Sequence, residues 1–306
     1  MSDSLNSTSG PSEPSKGLPP VKPPSGRHIV QLFLIPGLIV AGAVTVLLGF
    51  SWLASGSRSP DKILQNIDSA NADIRWRAAS DLAQVLKRDD KLAADASFGL
   101  RLAEKFAKGL DELDKAEAAE RAIPIDEAHK HERAEAHKAL VAQRNYVQYL
   151  GACLGNLSVP VGAPLLCDLA KNGRGQDEKL RAHMRRQAVW ALANLGESRK
   201  RFDKLPDEQK AETRRQLESE ANSSNADTRK WAETGLASLD GKSVGVIDAL
   251  AECAKEPTDI FLREQVAHAL GFWEGDAREQ KVAENALVLL AHDVGRGERI
   301  TIEEGE

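Results

Sequence analysis

The sequence predicts an all-α protein: an α-solenoid of stacked antiparallel helix pairs behind one N-terminal transmembrane helix. Three observations predict it. The stretch 184–196, MRRQAVWALANLG, puts Ala188, Val189, Leu192 and Leu195 on one face of a 3.6-residue helix. The same offsets recur. Small or apolar residues follow at three, seven and ten positions after Arg185, and likewise after Arg75 (Ala78, Leu82, Val85), Arg144 (Val147, Gly151, Leu154), Arg229 (Ala232, Leu236, Leu239) and Arg263 (Val266, Leu270, Trp273). These arginines stand 69, 41, 44 and 34 residues apart. Paired-helix repeats have periods of roughly 35 to 47 residues, so the first gap must hold extra helix. Lastly, Ile29 to Ala54 is a single apolar run without a charge. Aromatics are only 5% of the chain while Ala and Leu abound, which suits helix-on-helix packing, and no sustained alternation reads as sheet.

Taken in order, residues 1–28 are rich in Ser, Pro and Gly and are expected to be disordered, since they have little apolar surface to bury. Pro19 to Pro24 can extend as polyproline II, which leaves open either a groove-docking motif or a plain tail. The 26 residues of 29–54 exceed the ~20 needed to span a bilayer. Secretory signals have apolar regions of about 7–15 residues, so an uncleaved anchor is expected over a signal peptide. Gly37, Ala41, Thr45 and Gly49 recur every four residues. They form either a packing face for self-association or the ordinary abundance of small residues in membrane helices. Lys16, Lys22 and Arg27 precede the run, and Arg58 and Lys62 follow it. That single extra charge leans the N-terminus toward the cytoplasm and the solenoid to the extracytoplasmic side.

Residues 55–60 read as a linker and 61–294 as the solenoid. Pro60-Asp61 opens a short helix, and Ile74 to Leu86 is the second helix of the first pair. In Asn71-Ala-Asp73-Ile-Arg75 and Asn225-Ala-Asp227-Thr-Arg229 each Asp sits where an N-cap belongs. Lys91 to Arg121 is a long helix, broken at Ile123-Pro124 because proline disfavours helix in the residue before it. Asp126 caps a second long helix to about Leu157, so 91–157 should project as a hairpin with a solvated, mixed-charge tip. Pro160 and Pro164 mark the next helix, 171–177 is a loop, and the 180–196 helix stops at Gly196. A loop at 199–205 precedes a helix begun by Pro206. Helices at 244–255 and 278–292 complete the units, and 295–306 is an acidic tail.

The pattern of Asp, then Arg, then Ala or Val, then Leu and Leu-Gly resembles HEAT repeats, especially the short HEAT-like units of the phycobilisome-lyase type. The resemblance covers most of Asp61 to Val294 and is clearest at 184–196. Arg144 departs from it, because no Asp precedes it closely. The resemblance implies a stacked solenoid that binds other macromolecules, with the Asp and Arg linking neighbouring units. It implies no enzyme.

Candidate chemistry is sparse. Cys153, Cys167 and Cys253 lie in apolar stretches without a CxxC pair, so no disulfide framework is expected. His129, His131 and His137 stand in HKHERAEAH, which is not HExxH. A solvated charged run is the plainer reading, since zinc needs three or four converging ligands. No phosphate-loop, hydrolase or kinase motif is present, and no cofactor is expected. The basic cluster Lys179, Arg181, Arg185 and Arg186, with Arg199, Lys200 and Arg201 nearby, is the candidate binding surface. A net charge of −5 is too mild to argue for nucleic acid. The expected role is a single-pass, membrane-anchored scaffold that presents this surface to a protein partner. The alternative is a helical-repeat enzyme or nucleic-acid-binding protein that uses the cluster around 179–201.

Overall fold

Two copies of Asn-Ala-Asp-x-Arg start two helices alike in the computed structural model, which describes Leu34 and residues 36–46, 65–256 and 258–295, with side chains to residue 292. Asn71 Oδ1 accepts from the N–H groups of Asp73 and Ile74 at 2.9 and 3.4 Å. The Asn71 N–H is itself held by Ser69 Oγ. Asn225 repeats this toward Asp227 and Thr228, with its own N–H on Ser223 Oγ. The N-cap is therefore the Asn, two residues before the expected Asp. From its extended backbone, Asn reaches the N2 and N3 donors. The Asp is left in the first turn, where the positive end of the helix dipole favours its charge. The arginines then diverge. Arg75 donates to Gln143 at 2.7 Å and lies over the Tyr146 ring, whereas Arg229 folds back onto the Ser223 carbonyl.

The chain divides into two units, Met1–Arg58 and Ser59–Glu306. In the second unit, residues 65–67 are helical, and there follow α1 (Ala72–Leu86), α2 (Asp90–Ala93), α3 (Ala96–Ala122), α4 (Lys130–Gly155), α5 (Ala163–Asn172), α6 (Glu178–Phe202), α7 (Asp207–Glu220), α8 (Ala226–Leu239), α9 (Val246–Ala254), α10 (Ile260–Leu270) and α11 (Ala277–Gly295). No strand occurs among the described residues. α3 packs on α4, α5 on α6 and α9 on α10. α1, α4, α6 and α10 also pack each against the next, while α5 packs on α9 and α9 on α11.

The pair α7–α8 does not take the next place in this series. α6 packs directly on α10, and α7–α8 lies against α3, with α8 also touching α5. The expected order, with 226–241 stacked after 184–196, is corrected accordingly. Two sets of contacts explain it. The Thr213 hydroxyl donates to the Ala94 carbonyl at 2.8 Å, and Gln216 Oε1 accepts from the Ala96 N–H at 3.0 Å, which ties α7 to the α2–α3 corner. Meanwhile α6 does not stop at Gly196 but runs to Phe202. A Cβ on Gly196 would lie 2.7 Å from Trp273 Nε1. Its absence lets the indole reach the Leu192 carbonyl at 2.9 Å, and α10 closes on α6. The neighbouring contact is just as tight, because a Cβ on Gly155 of α4 would stand 2.7 Å from the Ala191 carbonyl oxygen.

The end of α6, expected as loop, fastens three elements. Arg201 donates to the Leu86 carbonyl at 3.0 Å, the Asn156 carbonyl at 2.6 Å and Asp90 at 2.9 Å. The two carbonyls lie at or just past the C-terminal ends of α1 and α4, where helices leave acceptors unpaired and favour a cation. Arg201→Ala should cost ~2–3 kcal/mol in urea unfolding, as loss of hydrogen bonds to a charged donor does. Arg201→Lys should recover only part of it, lacking the fork that serves several acceptors. An unchanged midpoint for Arg201→Ala would mean that water replaces the guanidinium at no cost.

The long hairpin forms from α3 and α4, with Asp90–Ala93 split off as α2. Its stem is pinned as well as solvated. The carboxylate of Glu117, 5% exposed, accepts from the N–H groups of Gln176 and Asp177, and Arg174 pairs with Asp111 and Asp114.

In the first unit, residues 36–46 are helical. No helix among the described residues is long and apolar enough to cross a membrane. The expected transmembrane helix, its single-pass membrane localisation and its self-association are corrected on this finding. Of the small-residue stripe, Gly37, Ala41 and Thr45 are helical, and the Thr45 hydroxyl donates to the Ala41 carbonyl of its own helix at 2.8 Å. Gly49, the rest of 29–54, and the expectations for 1–28, 55–60 and 296–306 lie outside the described residues. Among the described residues the fold is thus all-α and lacks the expected N-terminal membrane helix.

Candidate functional site

The first turns of α6 carry the basic cluster, and the structure separates its members. Lys179 and Arg181 are exposed and form no ion pair among the described residues. Arg185 donates to the Ala170 carbonyl at 3.0 Å and to Glu256 at 3.1 Å. Arg186 binds both oxygens of Asp259, at 3.0 and 2.9 Å, and its guanidinium lies over the Phe261 ring. Asp259 also caps α10 through the Leu262 N–H. Two of the four cations therefore fasten α6 to the α9–α10 turn. The Glu256 carboxyl is held below its ordinary pKa by hydrogen bonds from Thr258 and Arg185.

His183 lies on the same helix, with Nε2 3.4 Å from Gln148 Oε1. Burial, with Arg144 and Arg186 nearby, lowers its pKa from the ordinary 6.5. Below that value the unfolded chain takes up a proton that the folded chain refuses. Stability should therefore be full above pH ~6.5 and fall as pH drops through it. Melting temperatures between pH 7.5 and 5.5 should show this slope, and His183→Gln should flatten it. The depressed Glu256 adds its own loss only at lower pH, below ~4.5. An equal slope in the variant would place the titration elsewhere.

The three hairpin histidines are not gathered. His129 Nδ1 meets Asp126 at 2.7 Å, His137 Nδ1 meets Glu120 at 2.7 Å, and His131 is exposed. Among the described residues no group of three His, Cys, Asp or Glu is placed to hold a metal. The three cysteines are buried and free, and burial pushes each thiol above its ordinary pKa.

The arrangement with most chemistry lies at the other end of α6. A cleft of about 1070 Å³ opens between the end of α6, α7, the end of α8 and the α10–α11 turn. Its cations are Arg199, Lys200, Lys204, Lys210 and Arg214, and its carboxylates are Asp203 and Glu274. Arg199 stacks over Trp273 and donates to the Ser238 carbonyl at 3.3 Å. Burial lowers its pKa, against the opposing pull of Asp203 and Glu274. Arg214 is bound by Asp240 at 2.7 Å, which raises its pKa, and Lys210 pairs with Asp207 at 3.7 Å. Lys200 and Lys204 have no carboxylate partner among the described residues; Lys200 Nζ stands 5.9 Å from the Phe272 ring centre. Phe202, Leu239 and Phe272 supply apolar wall. Ser158, 2% exposed, lines the same cleft, and its Oγ has no hydrogen-bond partner. A buried hydroxyl without a partner is costly in a folded protein.

Sequence reasoning reached only Arg199 and Lys200 of this cleft. Its lining comes from four separate stretches, at 158, 196–214, 238–241 and 272–274. The one legible signal was the density of Arg and Lys between 199 and 215, which was divided between a loop and a helix start.

No family model matches the chain, and no curated protein matches it. The HEAT-repeat resemblance is corrected on this point: its residues describe helices that pack, and no family membership follows from them. The chain is similar to three crystal structures of engineered proteins from the Northeast Structural Genomics Consortium. The first is 16% identical, covering 76% of this chain and 96% of that one at a TM-score of 0.25. The second is 14% identical, covering 77% and 100% at 0.27, and the third 18% identical, covering 79% and 64% at 0.19. The expected membrane-anchored scaffold for a protein partner is corrected: no helix among the described residues is long and apolar enough to be its anchor, and two of the four cations of its candidate surface are held in ion pairs with Glu256 and Asp259.

Proposed function

We propose that this chain is a helical ligand-binding protein whose cleft at the end of α6 takes a small anionic ligand. The observation that supports this reading is the composition of the cleft: Arg214 and Lys210 are paired with Asp240 and Asp207, but Lys200 and Lys204 have no carboxylate partner among the described residues, and one wall holds the unpartnered hydroxyl of Ser158. A hollow with an excess of one sign of charge between low-dielectric walls concentrates oppositely charged solutes. Its volume is at the upper end of small-molecule sites, which run to ~1,000 Å³.

Calorimetric titration of the full chain with inorganic pyrophosphate tests the reading. Binding should weaken as salt is raised, because the lysines are exposed and screened. Lys200→Glu with Lys204→Glu should weaken it roughly tenfold or more by reversing the local potential. Lys179→Glu, on the far end of the same helix, should leave it unchanged. Absent binding to the parent chain, or equal weakening by Lys179→Glu, would remove the cleft as the site.

A further inference from the structure

We infer that the anion is a phosphate ester carrying a flat ring, a molecule of nucleotide size, and not a free phosphate. This rests on the reading of the cleft as an anion site. Size is the first argument, since a single phosphate fills only a small part of a cleft of about 1070 Å³. The second is the pairing of ring and cation in its wall. Phe272 is half-buried and fixed in orientation by His268, whose ring meets it edge-on at 4.9 Å and 84°. Lys200 Nζ lies 5.9 Å from the centre of the same ring, and Phe202 lines the cleft beside it. Because Lys200 lies over the ring, a ligand complementary to this wall displaces that flexible side chain with a π-face of its own and draws the ammonium to an oxyanion beside it. Stacking of a base on an aromatic side chain beside a cation is such a match.

The cations point to phosphate over carboxylate. Arg199 and Arg214 are each anchored by one hydrogen bond, to Ser238 and Asp240, which fixes where their remaining N–H donors stand. Lys200 and Lys204, the lining cations without a carboxylate partner among the described residues, are flexible point charges suited to a multiply charged phosphate group.

Three probes on the full chain test the inference: adenosine 5′-triphosphate, inorganic tripolyphosphate and adenosine. Calorimetry should find the nucleotide bound about tenfold more tightly than tripolyphosphate, and adenosine more weakly than either. Phe272→Leu keeps apolar bulk but removes the flat ring. It should erase the nucleotide's advantage and leave tripolyphosphate affinity as it was, with an unchanged circular-dichroism melt showing that the fold persists. Equal binding of nucleotide and tripolyphosphate would overturn the ring inference and leave the anion site standing. Equal weakening of both probes by Phe272→Leu would do the same. If pyrophosphate and tripolyphosphate both fail to bind, the anion site falls and this inference with it.

Discussion

Trp273→Ala is expected to destabilise the protein by ~3–5 kcal/mol, the range for removing a large buried aromatic side chain. Trp273 is 5% exposed, and three interactions converge on it. Its indole N–H donates to the Leu192 carbonyl, its ring fills the space left by Gly196, and the Arg199 guanidinium lies 5.0 Å above it. Truncation leaves a cavity between α6 and α10 and strips Arg199 of its stacking partner. Trp273→Phe separates the contributions. It keeps most of the ring volume and loses the hydrogen bond, so its cost beyond the volume change should be ~1 kcal/mol. Urea unfolding of both variants measures the difference. A loss below ~1 kcal/mol for Trp273→Ala would mean that α10 is not held to α6 through this residue.

Leu192→Ala should cost ~2–5 kcal/mol through lost burial and a residual cavity. Leu192 is fully buried on the helix that packs against both α4 and α10. The spread of the damage follows the packing order, not the chain order. Hydrogen exchange should therefore quicken in 144–155 and 260–270 along with 184–196, while 226–239 keeps its protection. Loss of protection in 226–239 at the expense of 260–270 would restore the order expected from the repeat spacing. Because Leu192 and Trp273 share one contact region, the double variant should cost less than the two singles added together. Glu135→Ala, on the exposed hairpin, should shift stability by no more than ~0.5 kcal/mol.

These outcomes rest on an uneven correspondence between sequence and structure. The offsets from the arginines found real core positions: Ala188, Val189, Leu192 and Leu195 are all essentially buried, as are Leu82, Ala232 and Val266. The shared Asn-Ala-Asp-x-Arg starts were also legible, although the capping atom belonged to Asn. Helix starts and apolar faces depend on residues three or four apart, so a local pattern carries them. The apolar run at 29–54 shows the limit of such patterns. Length and hydropathy named a membrane span, yet no helix among the described residues is long and apolar enough to cross a membrane.

The identity of each face's partner is not a local property. An amphipathic helix must bury its stripe, but many stripes of Ala and Leu are equivalent as partners. The packing was settled by a few side chains far apart in the chain. Thr213 and Gln216 drew α7 to the α2–α3 corner, and Trp273 seated α10 where Gly196 leaves room. The same holds for charge. Arg185 and Arg186 looked like surface cations in the sequence because their acceptors, Glu256 and Asp259, lie about seventy residues away. Lys200 and Lys204 became notable only when the packing of α8 and the α10–α11 turn closed a wall of Ser158, Leu239 and Phe272 around them. A helix's periodicity states which side turns inward, and close contacts between remote residues choose what it meets there.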